Sequence, residues 1–412
     1  MHDVLPEDAP LWQLIRDAAQ RVAERYDYHQ ITTPIVEDTR VFLRAVGEDS
    51  DIGSKEMYAF EDRGGDSIAL RPEGTAGVVR SYVEHGMASR PHPLRLWYLG
   101  PFFRYDRPQA GRYRQLNQFG VELIGDSTPA ADAEVIDLQR AFYAELGLTD
   151  LTLRINSIGT PATRERYVEA LREHLRPHAA SLSADSQRRL DDNVLRVLDS
   201  KDDANNEAVL NAPAILDHLD PEDLAHFDAV RAYLDALDIT YTVDPRIVRG
   251  LDYYTHTVWE FEPANAGGQS TVGAGGRYDG LVEMIGGQGT PAVGFGTGIE
   301  RIALNLREHI YPDGLEARPI DLAMVALGEA GPAAALRLAA QLRAKGFRVR
   351  NATPGRSMKA QLRSANRANA RYAAILGDSE ATEGVAQLKP LLVEGDQRTL
   401  PLADIPDALR AN

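Results

Sequence analysis

The 412-residue chain carries 45 Lys/Arg against 61 Asp/Glu, a net charge of −16, and no cysteine. Its length predicts two or three domains rather than one, while the missing cysteines exclude disulfides, thiolate metal sites and cysteine nucleophiles. No apolar run is long enough to span a bilayer and no charged start precedes an apolar leader, so a soluble cytoplasmic protein with no membrane partner is expected. Charge is unevenly distributed: residues 318–412 hold 14 Lys/Arg and 9 Asp/Glu, a balance of +5 that leaves −21 on the rest. Nine Lys/Arg and no acid fall between Arg343 and Arg371. A basic module on an acidic body predicts a polyanionic partner met at one place.

In chain order, apolar residues at Leu11, Leu14, Ile15, Ala18, Ala19, Val22 and Ala23 predict a helix over 11–26. Ile31 to Val36 reads as a strand that Pro34, lacking an N–H, confines to an edge or an interface. Segments 57–60 and 67–70 flank the turn Asp62-Arg63-Gly64-Gly65-Asp66 as a hairpin. Arg71-Pro72-Glu73-Gly74-Thr75-Ala76 then leads into a helix over 78–85. There an acid and a hydroxyl suit either a helix cap or a site for an ammonium group. Two apolar segments, 96–99 and 121–124, are joined by a loop carrying Arg104, Arg107, Arg112 and Arg114. They predict a second hairpin whose arginines either clamp phosphate or carboxylate or stand as a solvated tip.

A helix over 127–146 and a strand over 151–156 follow, then an acidic, helical stretch from 161 to about 237. Strands are predicted at 241–243 and 258–261. The glycine cluster in Ala274-Gly275-Gly276-Arg277-Tyr278-Asp279-Gly280-Leu281 is by itself weak evidence for phosphate binding. Gly294 to Ile302 reads as a strand followed by a helix with Arg301 near its start, and no P-loop string occurs. Beyond the Pro312-Asp313-Gly314 break, strands at 320–327, 347–350 and 372–376 alternate with helices at 333–345 and 357–369. They predict a small α/β domain with a largely parallel sheet. Lys359, Arg363, Arg367 and Arg371 are spaced by four, so they share one helix face, either solvated or nucleic-acid binding.

Five strings together resemble the histidyl-tRNA synthetase family of class II aminoacyl-tRNA synthetases. They are Phe103-Arg104-x-Asp106 with Arg107-Pro108-Gln109-x-Gly111-Arg112-Tyr113-Arg114-Gln115; Arg71 to Ala76; Arg249-Gly250-Leu251-Asp252-Tyr253-Tyr254-Thr255; Ala274 to Leu281; and Gly294 to Ile302. The third is the most specific. Asp106 stands where the family usually has Glu, and Leu116-Asn117 where it has Phe-His. Met1 to Pro6 resembles the family's opening without the Arg-Gly that usually precedes it.

The resemblance implies an α+β catalytic domain over 1–317, built on an antiparallel sheet flanked by helices, with a helical insertion at about 161–237. It implies an α/β anticodon-binding domain over 318–412 and a homodimer joined through the first helix and the strand containing Pro34. Histidine would be activated with ATP to histidyl-adenylate and pyrophosphate, then transferred to the 3′ end of its tRNA. Glu122 and Tyr254 would hold the imidazole nitrogens, while Glu73, Gly74, Thr75, Gln118 and Tyr253 would complete the histidine site. Arg104 and Arg249 would serve the α-phosphate beside histidine. Arg112 and Arg301 would take the γ-phosphate end, Leu116 the adenine, and Mg2+ would come with the pyrophosphate rather than sit in a protein metal cluster. Arg107 and Gln109 would reach the tRNA acceptor end, and Lys359, Arg363 and Arg367 the anticodon end. The alternative is a non-catalytic paralogue resembling the regulatory subunit of ATP phosphoribosyltransferase, a class that typically lacks both the third string and the C-terminal domain.

Overall fold

The computed structural model describes residues 3–47, 50, 52–106, 113–198, 200, 202–247, 253–263, 271–312, 314–315 and 318–410, with 52 and 54 by backbone alone. The chain divides into two compact units, Met1–Leu315 and Glu316–Asn412.

The first unit is organised by an eight-stranded sheet. Its strands lie in the order His29–Gln30, Leu94–Phe103, Gln115–Ile124, Ala292–Gly298, Gly273–Arg277, Thr255–Pro263, Leu151–Ser157 and Thr242–Val243. The six central strands run antiparallel, and only the two short edge strands are added in parallel. The expected arginine-rich hairpin forms the pair Leu94–Phe103 and Gln115–Ile124, in register from Leu94 opposite Ile124 to Phe103 opposite Gln115.

Because side chains alternate across a strand, each face of this sheet has its own core. Odd positions such as Phe119, Val121 and Leu123 meet helices Ala9–Arg25, Pro129–Glu145 and Ile299–His309. The helix Ala9–Arg25 buries Leu11, Ile15, Ala18, Val22 and their neighbours at the predicted spacing. Pro129–Glu145 begins with proline in its first turn after Thr128, where the missing N–H costs nothing. The opposite face is covered by Tyr98, Phe102, Tyr253, Tyr254 and Tyr278 together with apolar residues of helices Thr75–Glu84 and Pro161–Leu175.

Segment 161–237 is helical, as expected, but its two ends enter different cores. Pro161–Leu175 contributes Tyr167, Leu171 and Leu175 to the second cluster. Pro221–Ala236 packs along Pro129–Glu145 and puts Phe227, Val230 and Leu234 into the first. The strand expected over 31–36 is broken: His29–Gln30 edges the large sheet, whereas Val36–Asp38 belongs to a separate three-stranded sheet with Tyr58–Glu61 and Ser67–Leu70. Pro34 falls between them, where no ladder needs its N–H.

The second unit is a five-stranded sheet ordered Val349–Arg350, Ile320–Ala326, Ala370–Leu376, Val385–Pro390, Arg398–Pro401. The first three strands are parallel and the last two antiparallel, so the sheet is more mixed than expected. Helices Gly331–Ala344 and Ile405–Arg410 supply one core, and Ala365 of Met358–Arg367 packs with Ala323 and Ala370 in another. Arg371 is not on the basic helix face. It lies in the strand Ala370–Leu376, 3.5 Å from Asp321, because the helix stops at Arg367 and the four-residue spacing runs past its end.

Candidate active site

Glycines clear one face of the large sheet. The strand register sets Leu96, Glu122, Gly294, Gly276 and Val258 in one row across five strands. A Cβ on Gly294 would lie 2.0 Å from Glu122 Oε2, and one on Gly276 would lie 2.7 Å from the Tyr254 ring. The missing side chains therefore make the room that the Glu122 carboxylate and the Tyr254 ring occupy. In the next row Tyr98 covers Gly120, whereas among the described residues Gly296 has only the amide end of Gln118 near it, at 3.9 Å. One row further, opposite Gln118, nothing described lies within 4 Å of where a Cβ on Gly298 would stand. Among the described residues the result is a groove closed at Glu122, open over Gly296 and Gly298, and bounded by Leu116. Six residues separate Glu122 from Leu116, about 20 Å at 3.4 Å per residue.

At the closed end Glu122 is fully buried. It accepts hydrogen bonds from Thr75 Oγ1 at 2.8 Å, from Tyr98 Oη at 3.2 Å and from Tyr278 Oη. Burial pushes its carboxyl up to about 8, against the pull of the three hydroxyls. Tyr253 completes an aromatic wall, 4.8 Å from Tyr254 and 5.7 Å from Tyr278 between ring centroids. A buried, partly protonated carboxyl among hydroxyls is a site for a small polar group that both donates and accepts.

Glu73 is also buried, and burial raises its carboxyl despite two backbone N–H bonds and the nearby Arg104 charge. Its oxygens accept from Thr75 N at 2.7 Å and Ala76 N at 2.8 Å. This is the helix-capping arrangement that the sequence left open, and it pins Thr75 so that its hydroxyl reaches Glu122. A carboxylate has about four acceptor positions, so capping leaves capacity for a ligand's ammonium. Gly74 is required here, since a Cβ would stand 2.3 Å from the Tyr98 ring. Arg104 is half-buried at the loop end of the hairpin, its Nε donating to Pro72 O at 2.8 Å. Arg71, by contrast, is scaffold: it donates to Pro101 O and Thr33 O, each at 2.8 Å, and lies 4.5 Å over the Phe102 ring.

At the open end the two residues of the unusual Leu116-Asn117 pair face opposite ways. Leu116 is half-buried on the groove face and packs against the second core. Asn117 points to the helix side, where its N and Nδ2 donate to the Glu300 carboxylate at 2.8 and 3.1 Å. Arg301, next in the chain, donates to Thr271 O.

The comparisons with known proteins agree on one family. The model described as "Histidyl-tRNA synthetase" matches residues 1–302, and that described as "Anticodon binding domain" matches 321–412. A histidine–tRNA ligase of Dehalococcoides mccartyi is 48% identical over 401 residues, 97% of this chain and 95% of its own. One of Thermosynechococcus vestitus is 47% identical over 403 residues, 98% of this chain and 93% of its own. Among solved structures, apo histidyl-tRNA synthetase of S. aureus superposes with a TM-score of 0.81 at 38% identity, covering 100% of this chain and 98% of that one. The chain belongs to the histidyl-tRNA synthetase family.

Of the residues expected to serve a synthetase of this family, Glu73, Gly74, Thr75, Glu122, Tyr253 and Tyr254 gather at the closed end, with Gln118 and Leu116 further along the groove face. Arg104 stands beside Glu73. Arg107, Gln109, Arg112 and Arg249 lie outside the described residues. Lys359, Arg363 and Arg367 are exposed on the helix Met358–Arg367, turned away from the buried Gln361 and Ala365. Sequence reasoning passed over Tyr98 and Tyr278, which bond Glu122. Tyr278 sat in a quoted string, but only the register of Gly276 against Gly294 shows which carboxylate it meets.

Proposed function

We propose that the protein is a histidine–tRNA ligase that forms histidyl-adenylate in this groove and passes histidine to its tRNA. The observation that carries this reading is the Glu122 carboxyl, fully buried under three hydroxyls at the closed end of a glycine-floored groove. Imidazole has one nitrogen that donates and one that accepts near neutral pH. Glu122 can bond it in either protonation state, and the Tyr254 hydroxyl would take the other nitrogen. Glu73, Thr75 and Gln118 then face the ammonium and carboxylate. Such a pocket rejects amino acids lacking these groups by about 10⁴-fold, because its own buried polar atoms would be left unpaired.

The histidine carboxylate would attack the α-phosphate of ATP, and Arg104 and Arg249 would meet the charge that builds there. Positive groups already fixed in place usually supply more of the rate enhancement than any other effect in such catalysis. Leu116 would lie against adenine, with Arg112 and Arg301 at the γ-phosphate end. Among the described residues no group of three His, Asp or Glu side chains forms a metal site, so magnesium is proposed to enter as the ATP complex, held by phosphates and water. Arg107 and Gln109 would reach the acceptor end, and Lys359, Arg363 and Arg367 the anticodon end. Exposed Ile35 and Val36 beside Pro34 support a homodimer interface, and a cytoplasmic location is proposed with it, in keeping with a role in translation. The regulatory alternative has less support, since the curated relatives matched over nearly the whole chain are ligases. Histidine-dependent ATP–pyrophosphate exchange tests the reading. Exchange that is absent, or that another amino acid supports equally, would overturn it.

A further inference from the structure

Strand Thr255–Pro263 does not run evenly along Gly273–Arg277. Its register jumps between Val258 opposite Gly276 and Thr255 opposite Arg277, leaving a bulge at 256–257. His256 in that bulge has φ +49°, a left-handed conformation that costs about 1 kcal/mol and persists only where surroundings enforce it. The surroundings are the two ends of the helical segment. Out of register with Gly273–Arg277, His256 donates its N–H to Gly159 O at 2.9 Å and accepts at its carbonyl from Ile158 N at 2.8 Å, extending the pairing with Leu151–Ser157 to the entry of the helices. From the exit helix Pro221–Ala236, Asp223 receives Thr160 N at 3.1 Å and Thr163 Oγ1 at 2.8 Å, with its other oxygen 3.4 Å from His256 Nδ1. One turn into Pro161–Leu175, Arg164 reaches back and donates through Nη2 to the carbonyl of Tyr254.

Bulges beside active sites re-aim side chains, and this one begins next to Tyr254, whose ring lies over Gly276 in the row that carries Glu122. We infer that Arg164 is a positioning residue for the histidine pocket: its bond to the Tyr254 carbonyl fixes the peptide from which the imidazole-facing ring projects. The helical segment thereby forms part of the amino-acid site from behind, without touching the ligand. A charged donor on a buried carbonyl is among the stronger hydrogen bonds, so its loss should be felt at Tyr254 first.

The inference rests on the proposed histidine activation, and its test is arranged to separate the two. Arg164→Met keeps most of the side-chain volume without the donor, and Arg164→Lys keeps a donor. Histidine binding is measured by calorimetry without ATP, alongside the KM values for histidine and ATP in exchange. The expected result for Arg164→Met is histidine affinity weakened about tenfold, the KM for ATP within about twofold of the parent, and Arg164→Lys restored to within about threefold. Unchanged histidine affinity in Arg164→Met would overturn the inference. So would a parallel rise of both KM values with a lowered melting temperature in both variants, since that describes a general fold contact. A parent that binds histidine but shows no exchange would sink the proposed function and leave the binding comparison decisive for Arg164.

Discussion

The Glu300 carboxylate accepts twice from Asn117, from its backbone N–H at 2.8 Å and its side-chain amide at 3.1 Å. This bond ties the second strand of the arginine-rich hairpin to the first turn of the helix Ile299–His309, on the side of the sheet away from the groove. Burial raises the Glu300 carboxyl and Asn117 opposes that rise. Asn117→Ala removes one donor from a carboxyl that has partly left water. We expect a loss of about 1–2 kcal/mol in urea unfolding, with histidine affinity unchanged. Unaltered stability would mean that water replaces the amide at no cost.

Two alanine substitutions test the groove floor from opposite directions. In Gly294→Ala the new Cβ would stand 2.0 Å from Glu122 Oε2 and 2.4 Å from Val121 O, so the carboxyl must move. Overpacking of this kind costs about 1–3 kcal/mol, and histidine binding should fall more than tenfold. Gly298→Ala meets nothing described within 4 Å, and because Gly298 is the N-cap of Ile299–His309, where Ala is poorer than Gly, it should change unfolding by no more than about 1 kcal/mol. If substrate lies along this face, Gly298→Ala nevertheless raises a KM in exchange. A variant with unchanged kinetics would show that the open rows are not where substrate rests.

Much of this architecture was legible because helical spacing and strand alternation are local signals. Leu11 to Ala23 gave the first helix, and the apolar runs on either side of Arg104 gave the hairpin. The broken strand at 31–36 was not legible, since Pro34 says that a ladder is interrupted but not that the chain changes sheets. The helix end at Arg367 misled in the same way: a run of evenly spaced basic residues looks alike whether or not the helix continues. At the site, Glu73 and Glu122 were picked out through family strings, yet the local sequence leaves open whether Glu73 caps the helix or meets an ammonium group. Likewise, the opposite facing of Leu116 and Asn117 follows from alternation once the strand register is known. Partnerships across 156 residues, such as Tyr278 with Glu122, are products of register and carry no local signature.

Stability should depend on pH through Glu122. Its carboxyl is raised from 4.5 to about 8 in the fold, so the native state keeps a proton that the unfolded chain has lost. The stabilisation is fully present below about pH 4.5 and falls by up to ~1.4 kcal/mol per pH unit until it is gone above about pH 8. Glu122→Gln removes this dependence. The parent's advantage over the variant in urea unfolding should therefore shrink from pH 5 to pH 8. His256, which burial pushes below its ordinary value, acts with the opposite sign and is lost as pH falls below about 6.5. It is common to both proteins and cancels in the difference. A gap that stays constant with pH would show Glu122 ionised throughout.

The basic face of the second unit should matter to charging alone. Lys359→Glu, Arg363→Glu and Arg367→Glu combined reverse three exposed charges on one helix side without touching the buried Gln361 and Ala365. The KM for tRNA in histidine charging should rise at least tenfold and its salt dependence should flatten. Pyrophosphate exchange, which needs no tRNA, should stay at the parent's level. Equal loss of both activities would point instead to a contribution of this helix to folding.

Leu116 is the remaining departure, and its surroundings say which way a ring would go. It lies opposite Phe102 across the hairpin, half-buried, on the face that carries Gln118 and Glu122. Phe102 is 1% exposed and already held between the Arg71 guanidinium at 4.5 Å and the Tyr98 ring at 5.9 Å. It cannot swing out to stack on a nucleotide base, nor does it reach into the open groove. If adenine lies against residue 116, Leu supplies contact area but not the ring-on-ring attraction, worth roughly 0.5–1.5 kcal/mol. Because Leu116 is only half-buried, Leu116→Phe has the open side of the groove to enter and need not displace Phe102. The KM for ATP in exchange should then fall by about threefold to tenfold, with histidine affinity and melting temperature unchanged. A higher KM together with a lower melting temperature would mean that the ring was forced into the core beside Phe102, where overpacking is destabilising. In that case the nucleotide end of the groove has been packed around leucine, and adenine is held by other contacts.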